Sequence, residues 1–226
     1  MVNGENVADG VGLTPKLAQK LLAAGGDVIT LGNHTWRRRE LGDWIGGAAQ
    51  VIRPANFSRY APGRGLVVAK ARGGEPVAVI NLMGALFLEV AVGPFEVVDE
   101  LVEEASAAAR MILVDMHAEA TSEKIALSRH LDGRVTAVIG THTHVQTNDA
   151  RVQPGGTAAI TDAGMTGPHD SVIGVRAELA ISRMRTGVPI RFQPADGDVR
   201  VEGALVECDP ATGRATSCEA VRVSVP

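Results

Sequence analysis

Short apolar runs alternate along this chain with stretches of helical spacing. Residues 27–31, 66–70, 77–82, 111–115, 135–139 and 158–161 are largely apolar and of strand length, and 27–31 and 111–115 read as buried strands. The first helix is well punctuated. Thr14 is a good N-cap, Pro15 suits the first helical position, Leu17, Leu21 and Leu22 make an apolar face, and Gly25-Gly26 ends it. Further helices are expected over about 38–45, 95–110 and 121–131, and Gly73-Gly74 joins the strands at 66–70 and 77–82. In the last third, 190–193, 199–207 and 220–225 alternate like antiparallel strands, with a turn at 209–213. We find no repeat, low-complexity tract or linker, so the pattern predicts one α/β layered domain over 1–226, mainly β at its end. The start is unusual: Met1-Val2 reads as the last step of a strand and residues 3–6 as the loop beyond it. A strand of two residues is not expected to pair usefully.

Polar residues gather where these strands stop. Glu5 and Asn6 follow Val2, Asn33 and His34 follow 27–31, His117 follows 111–115, and His142 and His144 follow 135–139. In parallel α/β sheets those carboxyl ends share one edge, and ligands bind there. Four of the 6 histidines fall at this edge. Glu5, Asn6, Asn33, His117, His142 and His144 offer nitrogen and oxygen without thiolate, which suits Mn, Fe or Zn. Such a set could hold two ions, which clamp a phosphoryl group and activate an attacking water. His34, not needed as a ligand, could protonate a leaving oxygen, since imidazole titrates near neutral pH. Gly32-Asn33-His34 and Gly140-Thr141-His142-Thr143-His144 are the telling pieces, because a lone histidine at a strand end is more often an ordinary core or surface residue.

Other residues near these ends have plainer readings. His130 sits inside a predicted helix and reads as structural or exposed, and His169 lies in a Gly/Pro loop that either faces substrate or simply turns. Asp115 could orient His117. Glu119 and Glu123 read as acids favoured at a helix start. Arg37, Arg38 and Arg39 read as a solvated helix start, with phosphate attraction the less favoured account.

Composition narrows the partners. The formal charge is −4 with no basic stripe, which argues against nucleic-acid binding through a positive face and leaves a small phosphorylated ligand open. Two cysteines, Cys208 and Cys218, make a poor disulfide framework and suit a reducing cytoplasm. No run approaches the ~18–20 apolar residues of a membrane span, and the first residues do not form a signal peptide. A soluble cytoplasmic protein is expected. A homo-oligomer remains compatible with the sequence.

The motifs point further. Gly32-Asn33-His34 and Gly140-Thr141-His142-Thr143-His144 resemble those of calcineurin-like metallophosphoesterases. The stretches Asn3-Gly-Glu-Asn6, His117-Ala-Glu-Ala-Thr-Ser-Glu-Lys124 and Thr161-Asp-Ala-Gly-Met-Thr-Gly-Pro-His-Asp170 resemble its bacterial YmdB-like branch, and the likeness runs along nearly the whole chain. The resemblance implies a four-layer α/β/β/α sandwich with a dinuclear centre, usually Fe or Mn. It implies Glu5 as the bridging carboxylate, Asn6, Asn33, His117 and His142 on one ion, His144 on the other, and His34 as proton donor. The implied activity is that of a phosphodiesterase, with 2′,3′-cyclic nucleotides among its substrates.

One departure is expected to matter. Members of that family begin with a strand ending in Gly-Asp-x-x-Gly, whose Asp joins His144 on its ion, and no such motif stands upstream of Asn3. The comparison implies an N-terminally truncated fold short of roughly 30 residues, a strand–helix unit and most of a second strand. It also implies exposed apolar edges and a start codon assigned inside the gene. The alternative reading is a non-catalytic metal- or nucleotide-binding regulator, inactive through truncation. An amidohydrolase is disfavoured, because an amide ligand such as Asn33 is unusual there.

Overall fold

A computed structural model describes residues 1–225. Three strands at the start, β1 (Val2–Asn3), β2 (Ile29–Thr30) and β3 (Val51–Ile52), form a short parallel sheet in sequence order. The two-residue strand does pair: the amides of Val2 and Gly4 donate to the carbonyls of Val28 and Thr30, each at 2.9 Å. Its parallel register against β2 overturns the expectation that so short a strand would be idle.

The main sheet has six strands, β4 (Leu66–Lys70), β5 (Pro76–Met83), β6 (Met111–His117), β7 (Ala137–Thr141), β8 (Arg151–Val152) and β9 (Ala158–Ile160), in the order β4-β5-β6-β7-β9-β8. β5, β6, β7 and β9 are mutually parallel, so their carboxyl ends share one edge as the sequence predicts. The third sheet is antiparallel, with β10 (Gly167–Pro168), β11 (Val199–Cys208) and β12 (Ala215–Ser224). The strand expected at 190–193 does not form; one bridge from Pro194 to Val175 is all that touches a β partner there.

Side-chain alternation assigns the layers. On β5 and β6, Ile80, Leu82, Ile112, Val114 and Met116 face helices α3 (Pro94–Ala108) and α4 (Thr121–His130), which meet them with Val98, Val102, Ala105 and Leu127. The opposite parity faces inward, where Val79 and Leu113 meet Val28 and Ile52 of the first sheet. Further along, Ala137, Ile139, Ala158 and Ile160 meet Ala204, Val206, Ala215 and Cys218 of the third sheet. Helices α1 (Pro15–Ala23) and α2 (Arg39–Ile45) cover the far side through Ala18, Leu41 and Ile45 packed on Ile29 and Val51. The result is the four-layer α/β/β/α arrangement. Thr14 caps α1 as expected, its Oγ1 accepting from the Leu17 amide at 3.2 Å. A fifth helix, α5 (Ala177–Thr186), had no expectation. Among the described residues no helix is long and apolar enough to cross a membrane.

Sheet spacing near the ligand edge tolerates no extra atom at Gly140 in β7. A Cβ there would lie 1.7 Å from the Thr161 carbonyl oxygen, and backbone cannot swing away as a side chain can. Gly140→Ala is therefore expected to cost about 1–3 kcal/mol or more, several degrees of Tm for a chain of this size. Gly42→Ala, with nothing within 4 Å of the added carbon in α2, should instead add roughly 0.5–1 kcal/mol. Calorimetric melting of the two variants checks both signs.

Candidate metal centre

The inward parity of β6 carries Leu113, Asp115 and His117 in succession, so the apolar seam between the sheets ends in a carboxylate and an imidazole. Asp115 is fully buried. Its Oδ2 accepts from the Thr30 hydroxyl of β2 and from Asn3 Nδ2 of β1 at 3.2 Å, and its Oδ1 from Thr141 Oγ1 of β7 at 2.7 Å. Burial raises its pKa, and the neighbouring His117 and these hydrogen bonds act against that rise.

The Thr141 hydroxyl has one proton, and Asp115 takes it. Oγ1 must then accept from His117 Nδ1, 2.9 Å away, so the network assigns the His117 proton to Nδ1 and leaves a lone pair on Nε2. Three other acceptors meet that lone pair: Asn33 Oδ1 at 3.0 Å, His142 Nδ1 at 3.1 Å and Glu5 Oε1 at 3.1 Å. His142 is fixed in the same way from its far side, where Nε2 lies 3.0 Å from Glu119 Oε2. That contact assigns its proton outward and its lone pair inward.

Four electron-pair donors thus converge on one point. A proton on His117 Nε2 could be shared with only one of the other three. Glu5 Oε1 is buried and makes no hydrogen bond, although it lies 3.1 Å from His117 Nε2. An orphaned buried carboxylate oxygen is costly unless a cation meets it. Ligands about 2.1 Å from one ion sit about 3.0–3.4 Å from one another, and His117 Nε2 stands at that spacing from each of the other three. Glu5, His117 and His142 can all reach a single ion, and the residues present fit a metal. Burial works to raise the Glu5 pKa, but the neighbouring His117 and the His34 amide and ring outweigh it and bring the carboxyl down to about 2. Glu5 is therefore ionised at neutral pH, as a metal ligand must be.

A second group lies on the more open side. Asn6 was grouped with Asn33, His117 and His142 by resemblance; the structure places it beside His144 instead. Its amide is satisfied when the oxygen faces His144 Nε2 at 3.2 Å and the nitrogen donates to the Glu5 and Gly10 carbonyls and to His34 Nδ1 at 2.7 Å. In that orientation His34 carries its proton on Nε2. The His34 backbone amide also donates to Glu5 Oε2 at 3.1 Å. Burial lowers the His34 pKa; Glu5 opposes that, and the neighbouring Arg37, His117 and His144 lower it further. Burial lowers the His142 pKa too, with His117 adding to the effect and Glu5 and Glu119 opposing it.

Backbone shape brings these side chains in. A Cβ on Gly32 would lie 2.2 Å from His117 Nε2 and 2.4 Å from Glu5 Oε2, so only glycine lets this turn approach closely enough to present Asn33 and His34. His142 and His144 both have positive φ, 96° and 66°, an unusual conformation for residues with a side chain. Thr143 between them is clamped: Asp162 Oδ2 accepts from its amide at 3.1 Å and its hydroxyl at 2.6 Å, and from buried Lys124 Nζ at 2.8 Å.

The remaining polar residues sort out plainly. His130 is away from the site and pairs with Asp99 at 2.8 Å. His169 Nε2 faces the Met165 carbonyl at 3.2 Å, which makes it part of its own loop. Arg38 holds the loop at 8–11 through the Ala8 and Val11 carbonyls. Glu123 accepts from the amides of Ala85 and Leu86, and Glu119 partners His142; both are more than helix-start acids.

Known proteins resemble this chain along nearly its whole length. The profile of the family described as YmdB-like protein matches residues 1–221. The 2′,3′-cyclic-nucleotide 2′-phosphodiesterase of Bacillus subtilis (strain 168) is 47% identical over 224 residues, covering 99% of this chain and 84% of that protein. A crystal structure of a protein from Thermus thermophilus superposes with a TM-score of 0.92 at 39% identity, covering 100% of this chain and 87% of that one. A phosphatase from Mycoplasma pneumoniae gives 0.89 at 34% identity, covering 99% and 81%.

Thr141→Val tests the assignment of the His117 proton. It removes the hydroxyl between Asp115 and His117 Nδ1 and leaves both without that partner. Partners of this kind typically change metal affinity about 10–100-fold, so chelator competition with Mn should show a loss of that size. Unchanged affinity would mean that the hydroxyl does not orient the ligand.

Proposed function

The chain belongs to the YmdB-like family of the metallophosphoesterase superfamily, and we propose that it hydrolyses 2′,3′-cyclic nucleotides at a dinuclear metal centre held by Glu5, Asn6, Asn33, His117, His142 and His144. It is a hydrolase of phosphate esters, as befits relatives named a phosphodiesterase and a phosphatase. The observation that carries the metal reading is the meeting of four lone pairs at His117 Nε2 around an orphaned carboxylate oxygen. The cyclic-nucleotide reading is supported by the name of the Bacillus relative. When bound, two ions, Fe or Mn by their fit to N and O donors, supply Lewis acidity to phosphoryl oxygens and a lowered pKa to the attacking water.

The chain's own residues divide the rest of the work. Glu5 stands between the two groups: Oε1 faces His117, and Oε2 receives the His34 amide. Asn33, His117 and His142 close one side, while Asn6 and His144 form the other. His34 is placed to give a proton to the ribose oxygen as the water oxygen–phosphorus bond forms and the phosphorus–ribose oxygen bond breaks. Its Nδ1 is occupied by Asn6, so Nε2 is the nitrogen free to meet that oxygen. The product is a nucleoside monophosphate.

The competing reading is a regulator that binds metal or nucleotide without turnover. His34→Ala separates them. Loss of one positioned proton donor is worth about 10²–10⁴ in rate. We expect kcat on 2′,3′-cyclic AMP to fall by that factor while metal content per chain, read by elemental analysis, stays at the wild-type value. A wild-type protein purified with excess Mn or Fe that retains metal but opens no cyclic nucleotide would favour the regulator.

A further inference from the structure

The turn that carries His34 also carries an exposed indole. Residues Thr35–Arg37 form a single 3₁₀ turn directly after His34. Thr35 is buried and its hydroxyl donates to the Gly32 carbonyl at 2.6 Å, which pins the turn and leaves Trp36 and Arg37 outside. Trp36 is 42% exposed. Its ring lies 6.1 Å from that of Phe57, centroid to centroid, at an angle of 39°.

Phe57 is tied to the same edge of the fold by a short chain of hydrogen bonds. Asn56, buried beside it, donates to the Met83 carbonyl at 2.7 Å and accepts from the Met83 amide at 2.9 Å. The next residue, Gly84, donates its amide to the His117 carbonyl at 2.9 Å. The loop after β3 and the turn after β2 therefore place two rings together, one two residues from His34 and the other linked through Asn56 and Met83–Gly84 to the His117 backbone. Aromatics are scarce here, with Phe 4, Trp 2 and Tyr 1 in the whole chain. Placing two of them on a half-open rim leaves apolar surface in water that the core could have used. Arg37 adds a positive charge close enough to lower the His34 pKa.

We infer that Trp36, backed by Phe57, is the shelf on which the base of a nucleotide substrate stacks while its cyclic phosphate sits at the ligands, so that this pair gives the enzyme its preference for nucleotides over simpler cyclic phosphates. The inference rests on the cyclic-nucleotide reading and adds the part of the site that recognises the base. Every nucleobase has a π-face, so the shelf tolerates different bases. Stacking on one aromatic residue changes binding roughly 5- to 100-fold.

The test compares two substrates that share the five-membered cyclic phosphate. Adenosine 2′,3′-cyclic monophosphate has a base; glycerol 1,2-cyclic phosphate has none. Trp36→Leu in the metal-loaded protein should raise KM for the first roughly 5- to 100-fold with kcat little changed. It should leave both constants for the second alone, and Trp36→Phe should recover most of the loss. A purely structural role would move both substrates together, and that result overturns the proposal. A second readout needs no turnover. In a Trp44→Phe background Trp36 is the sole indole, and adenosine 3′-monophosphate should quench its emission saturably while glycerol phosphate does not. Absence of quenching overturns the shelf. If the wild type opens neither ester, the functional reading fails, and the quenching experiment still decides whether the shelf binds a nucleotide.

Discussion

Asp115 joins the two facing sheets at the edge where the ligands gather. Elsewhere the sheets meet through Val28, Ile52, Val79 and their neighbours, and apolar contact has no direction. At Asp115 one buried carboxylate receives Thr30 and Asn3 from the first sheet and Thr141 from its own. A carboxyl group with no access to water needs such hydrogen-bond partners. The register between the sheets is thereby tied to one buried polar group. It is passed on through one hydroxyl: because Asp115 takes the Thr141 proton, His117 must offer Nδ1–H to Thr141 and turn Nε2 toward Glu5, Asn33 and His142. Packing of two layers and presentation of the His117 Nε2 lone pair are consecutive links in one chain of hydrogen bonds.

The loop after β7 needs a different kind of restraint. Two non-glycine residues with positive φ, His142 and His144, lie on either side of Thr143. Such conformations cost of order 1–3 kcal/mol each and persist where surroundings over-determine them. Here Asp162 over-determines them, holding the Thr143 amide and hydroxyl while Lys124 neutralises it from α4. A buried ion pair is weak evidence for stability taken alone. At this place it fixes which way two histidines leave the strand, and Thr147 adds to it by donating its amide to the Asp162 carbonyl at 3.1 Å.

Much of this was legible in the sequence, for identifiable reasons. Strands β4, β5, β6 and β7 are longer buried or half-buried runs, so periodicity finds them, and their carboxyl ends locate His117, His142 and His144. Strands β3, β8 and β10 have two residues each and leave no period to detect. Residues 190–193 alternate in type but have no neighbouring strand to pair with, and alternation without a partner makes no sheet. Helix α5 escaped notice because Ile181 and Met184 remain exposed, so it presents no clean apolar face. Local rules also failed for Glu119. Its place before α4 suggests an acid drawn to a helix start, whereas its partner is His142, more than twenty residues on, brought close by the loop geometry. Asn6 beside His144 depends in the same way on a contact across the fold.

Burial is graded across the site, and the grading has chemical consequences. His117 and Glu5 are each 1% exposed and are closed behind by Asp115 and Thr141. Asn6, Asn33, His34, His142 and His144 are only partly covered. A phosphate ester bound at the proposed centre would approach through these partly covered residues, His34 among them. Donors that must hold an ion in fixed geometry belong on the rigid, water-poor side, where misplacement is resisted by packing. A group that must exchange a proton with each turnover belongs where water can reach it. Trp36 and Arg37 are exposed on the turn directly after His34, so the proposed recognition of the rest of a substrate falls to the partly covered part of the site.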